Sequence, residues 1–485
     1  MLISDNINRE YGTDLDWKRT AVTNWSLTEH SLCDVCSARG VEEIRQALDV
    51  ARARGLSIIA HGAGHSYTDA ALNGGGLLID LTTMRRILAW DPERGIMRVE
   101  PGVTVGEVAR VALRDRWWLA VTPSTAVATV GGCVAMNVNG KNSWTHGSFG
   151  EHVLSLTVLL AGGQLLTVSP TQNSELFRAV VGSAGLLGFI TSITLQLKRV
   201  PSDRVEVTVR PGRSLRELFQ LFEDEQAADY LEAWVDGFAA GGQLGRGIVT
   251  ASRYSQRVVA TAAFPTFHLS ERSMHSLTHW AGTLGRPFVE GGVRGANSVI
   301  YRGSRWPGRN RPRQISLMRS TYYAPALFTG YRALLPGGSE TFQAFVPAAE
   351  AEALFAEILR RSQEHKYDPL WCIIKRHRRD PFLLGYQVDG FSLEVNYRLP
   401  VRVHGLRQLL RELMEQVIAA GGRFYLAKDA LLTPVLYRRS VGEAAVAAFL
   451  DLKQRYDPER LLQSNLYRRV FQPSPQQPGE HDAKR

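Results

Sequence analysis

Cysteine is scarce in this chain. Four residues in 485 (Cys33, Cys36, Cys133 and Cys372) are too few for a disulfide framework. Cys33-x-x-Cys36 has no second Cys-x-x-Cys or Cys/His pair after it, so it reads as two small buried residues at the end of a strand, and no metal is expected. No apolar run reaches the length of a membrane span. Met1 to Thr20 is polar and has no apolar core segment of a secretory leader, which makes a cytoplasmic location the expectation. A Rossmann fingerprint is missing too: no Gly-x-Gly-x-x-Gly follows a strand and opens a helix, with an acid about twenty residues on. Acids are outnumbered, 47 against 57 basic residues, for a net charge of +10. No nucleic-acid motif accompanies that charge, so no nucleic-acid partner is expected. The densest cationic block runs from Arg302 to Arg313. It can attract an anionic substrate or a membrane surface, but a solvated Gly/Pro-rich loop is the preferred reading, and membrane association has no further support.

What is present alternates regularly over the first 200 residues. The spacing predicts a helix over Val41–Arg54, strands at Ser57–Ala60, Leu77–Leu81 and Ile96–Val99, and a helix from Thr104 to about Arg114. Thr104 and Glu107 have the spacing of a capping box. Leu154–Leu160 and Leu165–Val168 flank Gly162-Gly163 as a hairpin, and Phe189–Leu197 alternates as a long strand. From about Pro201 the pattern changes to long helices (Leu215–Ala227, Ala348–Gln363, Val403–Ala420) among strands such as Glu340–Val346, Trp371–Lys375 and Phe391–Tyr397. This predicts an α+β chain with a mixed sheet first and an antiparallel-sheet domain second. The Pro/Gln-rich end, 472–485, reads as disordered.

Two glycine-rich stretches carry the chemistry. The first is Ala60-His-Gly-Ala-Gly-His-Ser-Tyr67 and the second Thr129-Val-Gly-Gly-Cys-Val-Ala-Met-Asn-Val-Asn-Gly-Lys-Asn142. Both read as turns between apolar strands, where glycine lets backbone N–H groups converge on an anion. Their order resembles the FAD enzymes of the vanillyl-alcohol oxidase superfamily, with a PCMH-type FAD-binding domain. Gly62-Ala-Gly-His-Ser-Tyr-Thr-Asp69, Asn139-Gly-Lys-Asn142 and Gly147-Ser-Phe-Gly-Glu-His-Val153 are similar to motifs of its decaprenylphosphoryl-ribose oxidase family. So are Glu232–Asp236, Gln343–Pro347, Gly421–Asp429 and Tyr456-Asp-Pro458…Ser464-Asn465. The resemblance covers most of the chain. It implies a two-subdomain FAD-binding domain at 15–200, a substrate domain at 201–426, and a segment, 427–471, that returns to the FAD domain.

The resemblance also implies site residues. FAD contacts would come from Gly62, Ala63, Gly64, His65, Ser66 and Tyr67, from Pro123, Ser124 and Thr125, and from Thr129, Gly131 and Gly132. Asn137, Gly140, Lys141, Asn142, Gly147, Val153 and Ile190 would complete the set. Tyr67, Lys428 and Glu394 would be catalytic, and Gln343, Lys375, Ser392 and Asn396 would bind substrate. Ser392, Glu394 and Asn396 share one strand face by alternation. The implied activity is oxidation of a CH–OH group of a sugar-like substrate by hydride transfer to the flavin, with a quinone or O₂ as acceptor.

Three positions depart from that family. His65 stands where it has arginine, as in the Gly-His-Ser turn of aldonolactone oxidases, whose histidine is bonded to the flavin 8α-methyl carbon. The alternative is a histidine that only hydrogen-bonds. Asn139 replaces a histidine and Glu394 a cysteine, so a different hydroxyl substrate is expected. Val138, before Asn139-Gly140, fills the place where a smaller residue admits O₂ in the aldonolactone enzymes, so slow reaction with O₂ is expected.

Overall fold

A computed structural model describes residues 15–256, 286–306, 308, 310–322, 337–399 and 403–472. The Pro/Gln-rich stretch after Gln472, and Pro307 and Arg309 of the basic block, lie outside the described residues.

The first 200 residues build two small sheets. The four-stranded one has the order Lys18–Thr23, His30–Ser37, Leu77–Asp80, Ile58–His61. It is mixed: the first pair is antiparallel and the other two are parallel. The Val41–Arg54 helix makes the crossover between the second and fourth of these strands. It buries Ile44, Ala47, Leu48 and Ala51 at helical spacing, carries Glu42 and Glu43 in its first turn, and ends at Gly55 with φ 62°. The five-stranded sheet is antiparallel and runs Ile87–Asp91, Ile96–Val99, Phe189–Gln196, Val153–Leu159, Leu165–Val168. The Thr104–Glu107 capping box forms, but its helix stops at Ala112 and continues as a 3₁₀ turn to Asp115.

The second part is an eight-stranded antiparallel sheet. Its order is Arg313–Ser316, Arg204–Gly212, Gly247–Tyr254, Tyr230–Val235, Trp371–His377, Gly390–Arg398, Ser339–Pro347, Arg423–Phe424. The helices Leu215–Asp224, Ala348–Glu364 and Val403–Ala419 cover one face. In the Gly390–Arg398 strand, alternation divides the work. Phe391 meets the Phe219 and Phe222 rings of a covering helix, Tyr397 bonds Ser362 of another, and Leu393 and Val395 are fully buried. Ser392, Glu394 and Asn396 face the other way, as their spacing predicts.

The C-terminal segment folds back onto the first part. Ile58 pairs with Leu462, and its N–H donates to Leu461 O at 2.8 Å. Arg469 forms an ion pair with the largely buried Asp69 at 2.6 Å.

The reading of the basic block changes. Arg286–Ser304 is a helix, so the basic block starts on a helix end at Arg302 and finishes on the strand that begins at Arg313. It is not one continuous loop. Four glycines in that helix masked its periodicity in the sequence.

Candidate active site

A cavity of about 630 Å³ lies between the small sheets and the open face of the large one. At one end it is walled by Gly62–Ser66, Pro123–Thr125, Thr129, Gly131, Gly132 and Ile190. Tyr67 stands with Gln343, Lys375, Glu394, Asn396 and Lys428 at the other. Residues more than 350 positions apart therefore face one space, within the size range of cofactor sites.

The first glycine stretch leaves the Ile58–His61 strand and opens at once. Gly64 has φ +66°, which turns the chain where a side chain would be strained. Among the described residues, no hydrogen bond engages the N–H groups of Gly62, Ala63, Gly64 or Ser66. These amides are free to meet an anion.

The second stretch differs from its sequence reading. It is a short helix, Val130–Ala135, capped by Thr129, and not a turn between strands. Its first amides are already used: Val130 donates to Val103 O, Gly131 to Pro101 O and Gly132 to Thr129 Oγ1. Its glycines serve close approach. A Cβ on Gly131 would sit 2.7 Å from Pro101 Cβ, and one on Gly62 would sit 2.7 Å from Thr129 Oγ1. The two stretches thus touch, and the first leaves the N–H groups of Gly62, Ala63, Gly64 and Ser66 unengaged among the described residues. This cradle suits the phosphates of a dinucleotide.

Several residues expected at the cofactor support the wall from behind and do not line the cavity. Asn137 Oδ1 accepts from Gly150 N at 3.0 Å, and Asn142 Nδ2 donates to Ala120 O at 2.7 Å. Gly140 N donates to Ser143 Oγ, and Lys141 pairs with Glu232 at 2.7 Å. Gly147, at φ +72°, faces Glu151, and Val153 is buried on its strand. Ser392 is likewise engaged elsewhere, by His377 Nε2 at 2.8 Å.

The polar end is built by backbone register. Gln343 pairs with Glu394, Thr341 with Asn396, and Ile373 with Glu394 from the other side. Lys428 arrives on the turn after Arg423–Phe424. Its Nζ lies 2.7 Å from Glu394 Oε1 and 3.6 Å from the centre of the Tyr67 ring. Tyr67 is fixed from both sides: its N–H donates to Ala427 O, and its carbonyl accepts from Asn24 Nδ2 and Ser26 Oγ.

Charge follows from this packing. Burial by itself would raise the Glu394 pKa, but Lys428 and then Lys375 outweigh it and hold the carboxyl below its ordinary value. Glu394 is therefore a carboxylate. Burial and the nearby Glu394 charge push the Tyr67 phenol well up, so it stays a neutral donor. Burial draws the Lys375 ammonium down, against the pull of Glu394. Asp429, fully buried, is pushed up by burial to about 8 although it accepts the N–H groups of Gln343 and Tyr425. It ties the Lys428 turn to the Gln343 strand. Gln343 Oε1 is buried and has no hydrogen-bond partner among the described residues, and it borders the cavity. Such an atom is costly unless a ligand donates to it.

Sequence reading missed several wall residues. Trp25 packs its ring 4.4 Å from that of His65. Tyr425 stacks on Tyr386 at 4.1 Å. Ala184, Gly185 and Gly188 line the cavity from the loop after the Ser174–Val180 helix. The run Gly182-Ser-Ala-Gly-Leu-Leu-Gly188 was the available signal for that loop. Trp25 had none. Val138 and Asn139 also line the cavity, and Asn139 Nδ2 donates to Tyr386 OH at 3.2 Å. No group of three or more His, Cys, Asp or Glu residues among the described residues could hold a metal, and no described helix is long and apolar enough to cross a membrane.

Comparison with known proteins agrees with this geometry. Residues 35–169 match the family model described as an FAD binding domain. Decaprenylphosphoryl-beta-D-ribose oxidase of Mycolicibacterium smegmatis is 26% identical over 92% of this chain and 96% of its own length. L-gulonolactone oxidase of Bos taurus is 31% identical over 40% of this chain and 44% of its own. D-arabinono-1,4-lactone oxidase of Yarrowia lipolytica is 27% identical over 40% and 37%. The amides of Gly62, Ala63, Gly64 and Ser66, unengaged among the described residues, the tight contact of the two glycine stretches and the unmet Gln343 oxygen all suit FAD and a substrate in one cavity. The chain carries a PCMH-type FAD-binding domain and is a flavoprotein oxidoreductase.

Proposed function

We propose that the chain oxidises a CH–OH group of a sugar-like or polyol substrate. The observation that carries this reading is the joining of Tyr67, Lys428, Glu394 and Gln343 at one end of the cavity whose other end is the amide cradle. FAD bound there supplies the hydride acceptor. The protein's own groups do the rest. Glu394 Oε1 is taken by Lys428 and, at 3.4 Å, by Asn396, while Oε2 has no hydrogen bond among the described residues. That oxygen accepts a substrate hydroxyl proton. Gln343 Oε1 accepts from a neighbouring hydroxyl, and Lys375 and Lys428 donate. A polyhydroxylated substrate satisfies all of these groups at once, and an apolar one leaves them unpaired. These residues also weigh against the rival reading, a flavin-binding subunit without catalysis, which has no use for a buried Lys–Glu pair.

Anaerobic titration of the yellow protein with polyols, aldonolactones and sugar phosphates is expected to bleach the flavin with at least one of them. Bleaching by none, with FAD bound, would support the non-catalytic reading. Reoxidation is expected to be faster with a quinone than with O₂, because Val138 lines the cavity and its branched side chain is stiff.

His65 lies in the cavity wall against Trp25. We read it as the covalent flavin ligand. Acid precipitation is then expected to leave the colour in the pellet, and His65→Ala to release it. Flavin in the wild-type supernatant would reject the bond and leave FAD binding intact.

A further inference from the structure

The Arg286–Ser304 helix is turned inside out. Its buried positions are polar: Asn297, Tyr301 and Ser304 face the protein at helical spacing. Asn297 Nδ2 donates to Asp236 at 3.1 Å, the Arg246 guanidinium covers the Tyr301 ring, and Arg294 reaches Asp368 at 3.1 Å. The outward stripe holds Gly292, Gly295, Ala296, Val299 and Ile300, with no charge among them. Val299 is 71% exposed and Ile300 52%, and Trp306, just past the helix, is 73% exposed. Val299 and Trp306 are the two most exposed large apolar side chains among the described residues, so this is no scatter of single surface hydrophobics.

Charge surrounds this stripe with one sign. From Arg286 to Arg313 the sequence has seven arginines and one acid, Glu290. Arg302, Arg305, Arg311 and Arg313 are exposed, and none has an acidic partner among the described residues. An apolar stripe edged by exposed arginines and an exposed tryptophan has the chemistry of a helix that lies in a lipid headgroup layer.

We propose that this helix and the arginine stretch after it dock the protein on the surface of an anionic lipid membrane. The arginines meet phosphate headgroups, and Val299, Ile300 and Trp306 enter the acyl boundary. A nucleic acid would match the arginines but would gain nothing from the aliphatic pair. A second copy of this chain would gain from the aliphatic pair but would bring the same positive charge. The anionic lipid surface fits both features. The helix is held through Arg294 to Asp368, three residues before Trp371 in the cavity wall, so docking sets the cavity rim beside the membrane.

The test is co-sedimentation of the FAD-loaded full chain with vesicles of phosphatidylcholine, alone or mixed with phosphatidylglycerol. Binding to the mixed vesicles alone is expected, and added salt should weaken it. Val299→Glu with Ile300→Glu should lower vesicle affinity on the order of tenfold or more. Arg302→Gln with Arg305→Gln should lower it on the order of twentyfold and blunt the salt effect. All four positions are exposed, so flavin content and unfolding temperature should stay as in the wild type. Absence of binding to anionic vesicles would overturn the proposal. So would binding that both double variants retain in full, a dimer in solution that Val299→Glu dissociates, or a tighter hold on duplex DNA than on lipid.

Discussion

Lys428→Met is expected to cut turnover by about a hundredfold or more, the usual cost of removing a preorganised charge donor, while bound FAD stays near one per chain. The geometry gives two reasons. Lys428 Nζ is the donor 2.7 Å from Glu394 and lies over Tyr67, so it orders both groups. It is also the larger of the two charges that hold Glu394 ionised against its own burial. Without it, burial favours the protonated acid, and the acceptor oxygen at the cavity becomes a poor base. Recovery of activity as pH rises is therefore expected in the variant. Glu394→Gln should be similarly slow, and the double variant should be little worse than either alone, because the residues act as one unit. Stopped-flow flavin reduction and the visible-to-ultraviolet absorbance ratio separate the step from cofactor loss. Turnover equal to wild type would leave the pair a structural one.

Lys453→Met is expected to lower folding stability by about 3–5 kcal/mol, the range for breaking a buried ion pair from one side. Lys453 and Asp457 have side-chain exposures of 3% and 0%. The ammonium donates to Asp457 Oδ2 at 2.5 Å and to the carbonyls of Leu186 and Leu462. Asp457 in turn accepts the N–H groups of Leu461 and Leu462. One cation thus joins the Glu443–Tyr456 helix, the returning C-terminal segment and the loop that carries Ala184, Gly185 and Gly188 to the cavity. Methionine fills the volume but leaves the Asp457 charge without its cation and the Leu186 and Leu462 carbonyls without this donor. Urea unfolding monitored by flavin release reads the loss, and release should come early in the variant because a cavity wall is tied to this pair. Adding Asp457→Asn should restore part of the stability, since no unpaired charge then stays buried. A loss under about 1 kcal/mol would mean that water reaches the site and solvates Asp457.

Much of the fold was legible because it rests on local periodicity. The Thr104–Glu107 box, the Ile96–Val99 strand and the Val41–Arg54 helix fall where apolar spacing and capping residues put them. The second glycine stretch was misread because glycine is permissive: Val-Gly-Gly-Cys-Val-Ala fits a turn by composition. It becomes helix because the Thr129 cap and the Pro101 and Val103 carbonyls satisfy its first amides. Those carbonyls are contributed by a segment some thirty residues earlier, beyond the reach of a local pattern.

The site divides along the same line. Alternation alone put Ser392, Glu394 and Asn396 on one face, and the glycine run from Gly62 marked an anion cradle. The sequence does not say which of the three reaches the cavity. His377, from the neighbouring strand, takes Ser392, while register with Gln343 and the arrival of Lys428 leave Glu394 at the opening. Lys453 and Asp457 show the limit most plainly. At i and i+4 near a helix end they have the spacing of an ordinary solvent-exposed pair. They are buried because Leu461 and Leu462 fold back against Ile58. Periodicity records which side of an element is apolar. Whether a polar pair on that element is solvated or sealed depends on the long-range segment that packs over it, and tertiary structure alone decides that.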